Sequence, residues 1–399
     1  MVNPNSLKKL IPQWIRPTWE GNDEGAMSGV GGHTTLWWQK DFGHHHYGDY
    51  SMAVIKGNIV VEDHSQLESG LMGMDAAGPY GTFVGVYDGH GGPDASRFIS
   101  DRLFNHMKRI TTERGGMSTD VIGRAFVATE EEFLAKVRRE WESRPMLASV
   151  GSCCLVGVVC GGMIYVASAG DSRAVLGRSS PELHMEAIQL SKDHNASEEV
   201  VRDELTIRHP NDEQIVFQKD GVWRVKGIIQ VSRSIGDAYL KKQEFNRPPL
   251  IEKYRVPGIF DKPILLPDPT VEERGISPRD EFIIFASDGL WDHLTNQEAV
   301  DIVHSKSRKG IARTLVKAAL KALARERGQK YKELKKIEIQ ERRRVHDDIT
   351  VVVLFLDSRL ISSSSSSRRR PTVSERTYAL DINRAGTSGT AGVDNDDLE

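Results

Sequence analysis

The sequence predicts a domain of mixed α and β structure, with strands and helices interleaved from about residue 51 to residue 356. The first observation is a set of short apolar runs rich in β-branched and aromatic residues, at 83–87, 163–166, 282–285 and 349–353. Runs this apolar are typical of strands that are buried on both faces. The second observation is that apolar residues between these runs recur every three or four positions, as on one face of a helix. Together the two patterns predict strands that are covered by other elements on both sides.

Three segments have the helical spacing of apolar residues. Their members are Ile99, Leu103, Met107 and Ile110; Phe126, Phe133, Val137 and Trp141; and Ile311, Leu315, Ala319 and Leu323. A further helix is predicted to start at Thr295, because Thr295 and Glu298 have the spacing of a capping box.

Composition excludes several classes of protein. The chain has 399 residues and a formal net charge of -3, which favours neither nucleic acid nor an anionic membrane as a partner. Cys153, Cys154 and Cys160 are an odd, clustered set, so we predict buried thiols rather than a disulfide framework. The N-terminus lacks a signal-peptide pattern, and no apolar stretch approaches the roughly 18 residues of a membrane span. We therefore expect a soluble protein of the cytoplasm or the nucleus.

Three regions are predicted along the chain. Residues 1–48 contain Trp14, Trp19, Trp37 and Trp38 and are expected to pack on the domain surface, because tryptophan buries a large area. Residues 49–358 are the predicted domain, with a polar, flap-like excursion at about 198–227. Residues 359–399 are rich in serine, arginine and glycine, and their composition predicts a disordered tail. A basic triplet at 342–344 is expected to be a solvated face.

Aspartates flank the predicted strands. Asp88, Asp171 and Asp288 each follow an apolar strand, whereas Asp347 and Asp348 precede one. Strand ends of these two kinds are level with each other in an antiparallel sheet, so these side chains are expected to meet at one sheet edge. Converging carboxylates repel one another unless cations neutralise them. Oxygen ligands select hard cations, so the pattern favours Mg²⁺ or Mn²⁺ over zinc.

A set of short motifs resembles the type 2C family of metal-dependent serine/threonine protein phosphatases. In the family's order they are YDGHGG at 87–92, GS at 151–152, GDSR at 170–173, SKDH at 191–194, SRSIGD at 232–237, ASDGLWD at 286–292 and DDIT at 347–350. The resemblance covers roughly residues 50–357. It implies an α+β fold, a four-layer α-β-β-α sandwich of two antiparallel sheets flanked by helices.

The resemblance also implies roles for individual residues. Asp88 would bridge two metal ions, Gly89 would offer its carbonyl oxygen, and Asp288 and Asp347 would complete the first ion's ligands. A further set is implied around them: Glu62 holding the second ion through water, Asp63 behind Glu62, and Asp171 and Asp292 forming a weaker third site.

The implied reaction is hydrolysis of phosphoserine and phosphothreonine. A water shared by the two metal ions would attack phosphorus in line with the leaving oxygen. His90 would protonate the departing alkoxide as a general acid.

The sequence departs from the family pattern at one position. Many members carry an arginine that grips the substrate phosphate four positions before the early glutamate, where this chain has Asn58. Lys56 would share a face with Asn58 if both were on a strand, and so could supply part of the missing charge. Asn58 is also the main support for an alternative function, a pseudophosphatase that binds phosphoproteins without turnover. A third alternative is a two-metal hydrolase of small phosphate esters.

Three further segments resemble the plant clade D branch of the family: SMAV at 51–54, WRVKG at 223–227 and EFNR at 244–247. That resemblance implies a role in plant growth signalling. The implied partners are phosphorylated proteins, plasma-membrane proton pumps among them, and small auxin-induced inhibitor proteins. We expect a monomer that meets the plasma membrane only peripherally.

Overall fold

Two six-stranded antiparallel sheets form the centre of the structure, a computed structural model that describes residues 37–182, 184–362 and 372–377. The strands in chain order are β1 Trp37–His45, β2 Gly48–Ile55, β3 His64–Leu71, β4 Tyr80–Tyr87, β5 Gly89–His90, β6 Gly151–Ser152, β7 Cys154–Cys160, β8 Met163–Ala169, β9 Arg173–Ser179, β10 Met185–Gln189, β11 Val216–Lys219, β12 Val222–Val225, β13 Ile235–Gly236, β14 Thr270–Gly275, β15 Asp280–Ala286, β16 Ile349–Phe355 and β17 Val373–Arg376.

The first sheet has the strand order β1-β2-β16-β15-β9-β10, and the second has the order β14-β8-β7-β4-β3-β17. Their inner faces pack on each other through a shared apolar core. Val84 and Leu155 contribute to it from the second sheet, and Phe285 and Val352 contribute from the first. Strands that are buried on both faces have little need of alternating polar residues, which explains the continuous apolar runs in the sequence.

Helices cover the outer faces of both sheets. Their bounds are α1 Asp94–Arg114, α2 Thr119–Glu140, α3 Glu199–Arg208, α4 Ala238–Lys241, α5 Asp288–Trp291, α6 Asn296–Ser305, α7 Ile311–Glu326, α8 Tyr331–Leu334, α9 Ile339–Arg342 and α10 Ser358–Ser362. Helices α1 and α2 pack on the second sheet, and α6 and α7 pack on the first. The four-layer α-β-β-α sandwich is therefore confirmed.

The predicted elements are confirmed where the apolar pattern was strongest. Each predicted strand lies within β4, β8, β15 or β16, and the helical segments form α1, α2 and α7. Thr295 caps α6 with the predicted capping box, which also uses the Glu298 side chain. All three cysteines are buried and have free thiols. None of the helices in the described ranges has the length and apolar character needed to cross a bilayer.

The ends of the domain differ from the sequence prediction. The first sheet begins at Trp37, inside the predicted extension, because β1 pairs with β2 as an edge strand. The prediction of disorder after residue 358 is wrong for β17, which pairs with β3. Arg376 of β17 forms an ion pair with Glu68, which helps to hold this short strand on the edge. Residues 1–36, 363–371 and 378–399 lie outside the described residues.

The excursion at 198–227 is ordered in the structure. It contains α3 and the hairpin of β11 and β12, and its apolar side chains pack with those of α2. The guanidinium of Arg202 lies 4.4 Å from the ring centroid of Trp223, which ties the helix to the hairpin.

Candidate metal centre

The acidic residues converge at one end of the sandwich, from both sheets. Asp88 and Asp171 follow β4 and β8 of the second sheet, whereas Asp288 and Asp347 adjoin β15 and β16 of the first. The expectation that they meet at the edge of a single sheet is therefore wrong. They meet between two sheets because face-to-face packing brings the strand ends of both to the same place.

Asp88 and Asp171 form a close group with Cys153. Each of the three offers one ligand atom, and these atoms all lie within 4.8 Å of one another. The Cys153 thiol donates to Asp171 Oδ1 over 3.2 Å, and the Cys153 N–H donates to the Asp88 carbonyl over 2.8 Å. The thiol therefore fixes the Asp171 carboxylate, and the backbone contact fixes the turn after β4.

Asp288 lies next to this group. It opens the short helix α5, and its carboxyl group lies beside that of Asp88. Desolvation and the neighbouring Asp288 raise the pKa of Asp88 well above its usual range. Desolvation and nearby carboxylates also raise the pKa of Asp171 and of Asp288 to about 6. The cluster therefore concentrates negative charge that the protein disfavours in the absence of cations.

Glu62 and Asp63 approach the same centre from the loop before β3. Desolvation raises the pKa of Glu62 to about 7. Asp63 is almost fully buried and accepts a hydrogen bond from Thr350 Oγ1 over 2.7 Å. Desolvation, followed by the charge of Asp348, raises the pKa of Asp63 well above its usual range. Asp63 therefore connects the loop that carries Glu62 to the start of β16.

Asp348 organises the loop that carries Glu62. Its Oδ1 accepts from the backbone N–H groups of Gly57 and Asn58 over 2.7 and 3.0 Å. Its Oδ2 accepts from the N–H groups of Glu62 and Asp63 over 2.7 and 3.3 Å. One buried carboxylate thus satisfies four backbone donors, and it sets the position of the loop relative to β16.

Asp347 faces two different side chains. Its Oδ1 accepts from Asn58 Nδ2 over 3.2 Å, and its Oδ2 contacts Arg343 Nη1. The predicted pairing of Lys56 with Asn58 on a strand face is wrong, because β2 ends at Ile55 and both residues lie in the loop.

His90 is paired with an aspartate from a distant part of the chain. Its Nε2 lies 2.8 Å from Asp237 Oδ2, and Ser234 Oγ donates to the same oxygen over 2.7 Å. Desolvation opposes the charged imidazole, but Asp237, with Glu62 and Asp171, outweighs it and raises the pKa of His90. A Cβ atom on Gly151 would collide with His90 Nε2 and Asp237 Oδ2, so this position requires glycine.

The donor set suits a hard divalent cation. Asp88, Asp171 and Asp288 supply clustered carboxylate oxygens, and none of them forms an ion pair with a lysine or arginine in the described part of the chain. Gly89 lies against the Glu62 carbonyl so closely that a Cβ atom could not be accommodated, so this position requires glycine. Oxygen-rich sites of this kind prefer Mg²⁺ or Mn²⁺.

Comparison with known proteins identifies the family. Residues 64–330 match the model of the family described as "Protein phosphatase 2C". The chain belongs to the protein phosphatase 2C family. It is 57% identical over 359 residues to "Probable protein phosphatase 2C 48" of Arabidopsis thaliana, across 89% of this chain and 93% of the relative. It is also 56% identical over 327 residues to "Probable protein phosphatase 2C 28" of Oryza sativa subsp. japonica, across 82% of each.

A solved structure supports the same fold. The serine-threonine phosphatase 2C of Toxoplasma gondii aligns with a TM-score of 0.56 and 17% identity, over 80% of this chain and 99% of that one. This chain is accordingly a metal-dependent protein serine/threonine phosphatase, a hydrolase that acts on phosphorylated proteins.

Asp171 and Asp292 are the residues of the phosphatase that were predicted to form a third site, and Asp171 also belongs to the close group with Asp88 and Cys153. Asp171 Oδ2 accepts from Asn195 Nδ2 over 2.7 Å. Asp292 directly follows α5, and desolvation and the charge of Asp171 raise its pKa. The two carboxylates are therefore close enough to interact electrostatically.

The roles of three residues at the phosphatase centre were missed in the sequence. Asp237 and Asp348 lie inside motifs that carried the resemblance, but nothing in their spacing shows that one holds His90 and the other holds a loop. Cys153 was predicted only as a buried thiol, yet it contacts Asp171. Its place beside a glycine-serine motif at a strand start was the available signal.

Proposed function

We propose that the phosphatase hydrolyses phosphoserine and phosphothreonine at this centre with Mg²⁺ or Mn²⁺, two ions per site and a weaker third. The observation that supports the proposal is the cluster of Asp88 and Asp171, whose ligand atoms lie within 4.8 Å of each other, with Asp288 beside them. Burial and the neighbouring carboxylates raise the pKa values of these groups, and a bound cation would relieve their repulsion. When bound, the metal supplies an activated water and offsets charge on the phosphoryl oxygens.

The chain's own residues have distinct roles in this proposal. Asp88, the Gly89 carbonyl, Asp288 and Asp347 would hold the principal ions, and Glu62 would act through water. Asp63 and Asp348 keep the Glu62 loop in place through the hydrogen bonds described above. Asp171 and Asp292 would hold the weaker ion.

His90 would act as the general acid. Burial opposes the charged form, but Asp237 raises the pKa of His90 and so favours the protonated imidazole, which would donate its proton to the leaving serine or threonine oxygen. Asp237 also fixes the ring orientation through the 2.8 Å contact with Nε2. The remaining donor, Nδ1, is the atom from which the proton would be delivered.

The test is release of phosphate from a phosphothreonine peptide in Mn²⁺, in Mg²⁺ and in chelator, with Asp288→Asn beside the native protein. Loss of a residue that merely supports a metal ligand costs about 10–100-fold, so loss of a direct ligand should lower kcat more than about 100-fold. Asp261→Asn is the matched control, because Asp261 is exposed and distant in sequence from every motif. Turnover that persists in chelator, or in Asp288→Asn, would contradict the proposed centre.

The pseudophosphatase alternative is tested by the same experiment. A folded native protein that binds the phosphopeptide without releasing phosphate in either metal would favour it. Small phosphate esters tested beside the peptide distinguish a phosphoprotein substrate from a small one.

The proposed setting is plant growth signalling in the cytoplasm or nucleus, including the inner surface of the plasma membrane. Its support is the plant origin of the relatives and the clade D resemblance at 51–54, 223–227 and 244–247. Plasma-membrane proton pumps are the proposed substrates, and small auxin-induced proteins are the proposed inhibitors. Purified inhibitor that neither binds the chain nor lowers its turnover would count against this assignment.

A further inference from the structure

The basic triplet after α9 divides into three different environments. Arg342 is buried and donates to the carbonyl groups of Ile337 and Lys335 over 3.0 and 3.2 Å. Arg344 is exposed and pairs with Glu341 over 2.5 Å. Arg343 alone of the three contacts a residue of the candidate metal centre. The expectation of a uniformly solvated face is therefore wrong.

Arg343 and Asn58 flank one carboxylate. Arg343 Nη1 contacts Oδ2 of Asp347, and Asn58 Nδ2 donates to Oδ1 of the same side chain. Asn58 occupies the position at which many family members carry a phosphate-gripping arginine. The guanidinium of Arg343 therefore lies beside Asp347, as the Asn58 side chain does, but it comes from the segment that precedes β16.

The positive charge of Arg343 acts on two acidic residues of the centre. It lowers the pKa values of both Glu62 and Asp288, against the larger effect of desolvation. The side chain is 42% exposed, so it is also accessible from solvent. In the described part of the chain its ion pair uses Nη1, and a guanidinium has further N–H donors in the same plane.

Two other cations near the centre are less suited to a substrate phosphate. Arg173 is bound to Asp193 over 2.5 Å and to Asn296 over 2.9 Å. Its guanidinium also lies over the ring of Trp291, 5.4 Å from the centroid. Lys56 is partly buried, and desolvation lowers its pKa.

We propose that Arg343 binds the phosphoryl group of the substrate and supplies the contact that Asn58 cannot make. The inference rests on the proposed function of the same centre. A guanidinium presents paired N–H donors that match two phosphoryl oxygens, which neither asparagine nor lysine can do. Arg343 can keep Asp347 in place through Nη1 while its other donors face the incoming phosphate.

The experiment compares Arg343→Ala with Arg344→Ala in the full chain. Kinetics with a phosphothreonine peptide give KM and kcat, and calorimetry gives the binding of inorganic phosphate and, separately, of Mn²⁺. We expect Arg343→Ala to raise KM and weaken phosphate binding by about 10–100-fold, the range for a charge-assisted contact. Arg344→Ala should leave both within about twofold of the native protein, because it pairs only with exposed Glu341.

A double variant tests whether an arginine at position 58 can replace Arg343. Asn58→Arg in the Arg343→Ala background should restore KM and phosphate binding, because it returns a guanidinium to the other side of Asp347. Unchanged KM and phosphate binding in Arg343→Ala would overturn the proposal. So would loss of Mn²⁺ binding in that variant, since the residue would then act by holding Asp347. If the native protein itself has no turnover, the proposed function fails, and phosphate binding by the two single variants still decides the role of Arg343.

Discussion

Two buried groups of charged residues in this phosphatase are built in opposite ways. In the first, Lys241 pairs with Glu130 over 2.8 Å, and both side chains are at most 4% exposed. Lys241 also donates to the Ser234 carbonyl, and Glu130 accepts from the Gly236 N–H. In the second, Asp88, Asp171 and Asp288 face one another with like charges.

The difference shows how each group is used. The Lys241–Glu130 pair is compensated within the protein and supports the turn that carries Asp237, the partner of His90. No lysine or arginine in the described residues forms an ion pair with the aspartate cluster, so most of its charge must be balanced by protons or by cations. A buried pair with both partners present is structural, whereas a buried set of one sign indicates an ion site.

The largest expected effect is on the compensated pair. Lys241→Met leaves Glu130 buried without its partner, which should lower the free energy of unfolding by about 3–5 kcal/mol. Chemical denaturation of the metal-free protein measures the change. The double variant Glu130→Gln with Lys241→Met is the control, because it removes both charges and should recover part of the loss. A loss below about 1 kcal/mol in Lys241→Met would show that the pair is not structural.

The second prediction concerns how the stability of the fold depends on pH through the aspartate cluster. The expected change in the free energy of unfolding is smaller than for the Lys241–Glu130 pair. The pKa values of Asp171 and Asp288 rise from about 3.8 to about 6, so the folded state binds more protons than the unfolded state between these values. These two groups therefore make the metal-free fold less stable as pH rises through that window. His64, His194 and His346 act in the opposite sense below pH 6.5, because burial lowers their pKa values. The free energy of unfolding must therefore be compared with and without metal at each pH.

Bound metal should relieve the repulsion among these carboxylates only at pH values at which they are ionised. We expect saturating Mn²⁺ to stabilise the protein by about 2–3 kcal/mol at pH 7.5, as for a ligand present at roughly 100 times its dissociation constant. At pH 5 the gain should nearly vanish, because protons occupy the carboxylates. Thermal unfolding at both values measures this, and Asp88→Asn should reduce the gain at pH 7.5. An equal gain at both pH values would show that the metal binds elsewhere.

Much of the fold could be predicted from the local pattern of apolar residues in the sequence. The runs that became β4, β8, β15 and β16 are apolar throughout because both of their faces are buried, and α1 and α2 bury one stripe each. The weakest predictions were at the ends. Strands β1 and β17 are edge strands with partly exposed side chains, so their sequences have no continuous apolar run to reveal them.

The sequence by itself predicted which residues would carry the chemistry. Acidic residues at strand ends, in the order of a recognisable set of motifs, were enough to predict Asp88, Asp288 and Asp347 as a group. Only the tertiary structure decided how that group is supported. Asp237 is 147 residues from His90, and Arg343 reaches Asp347 by a turn after α9. Local spacing reports which face a side chain occupies, but contacts between distant segments depend on how the two sheets and their helices pack.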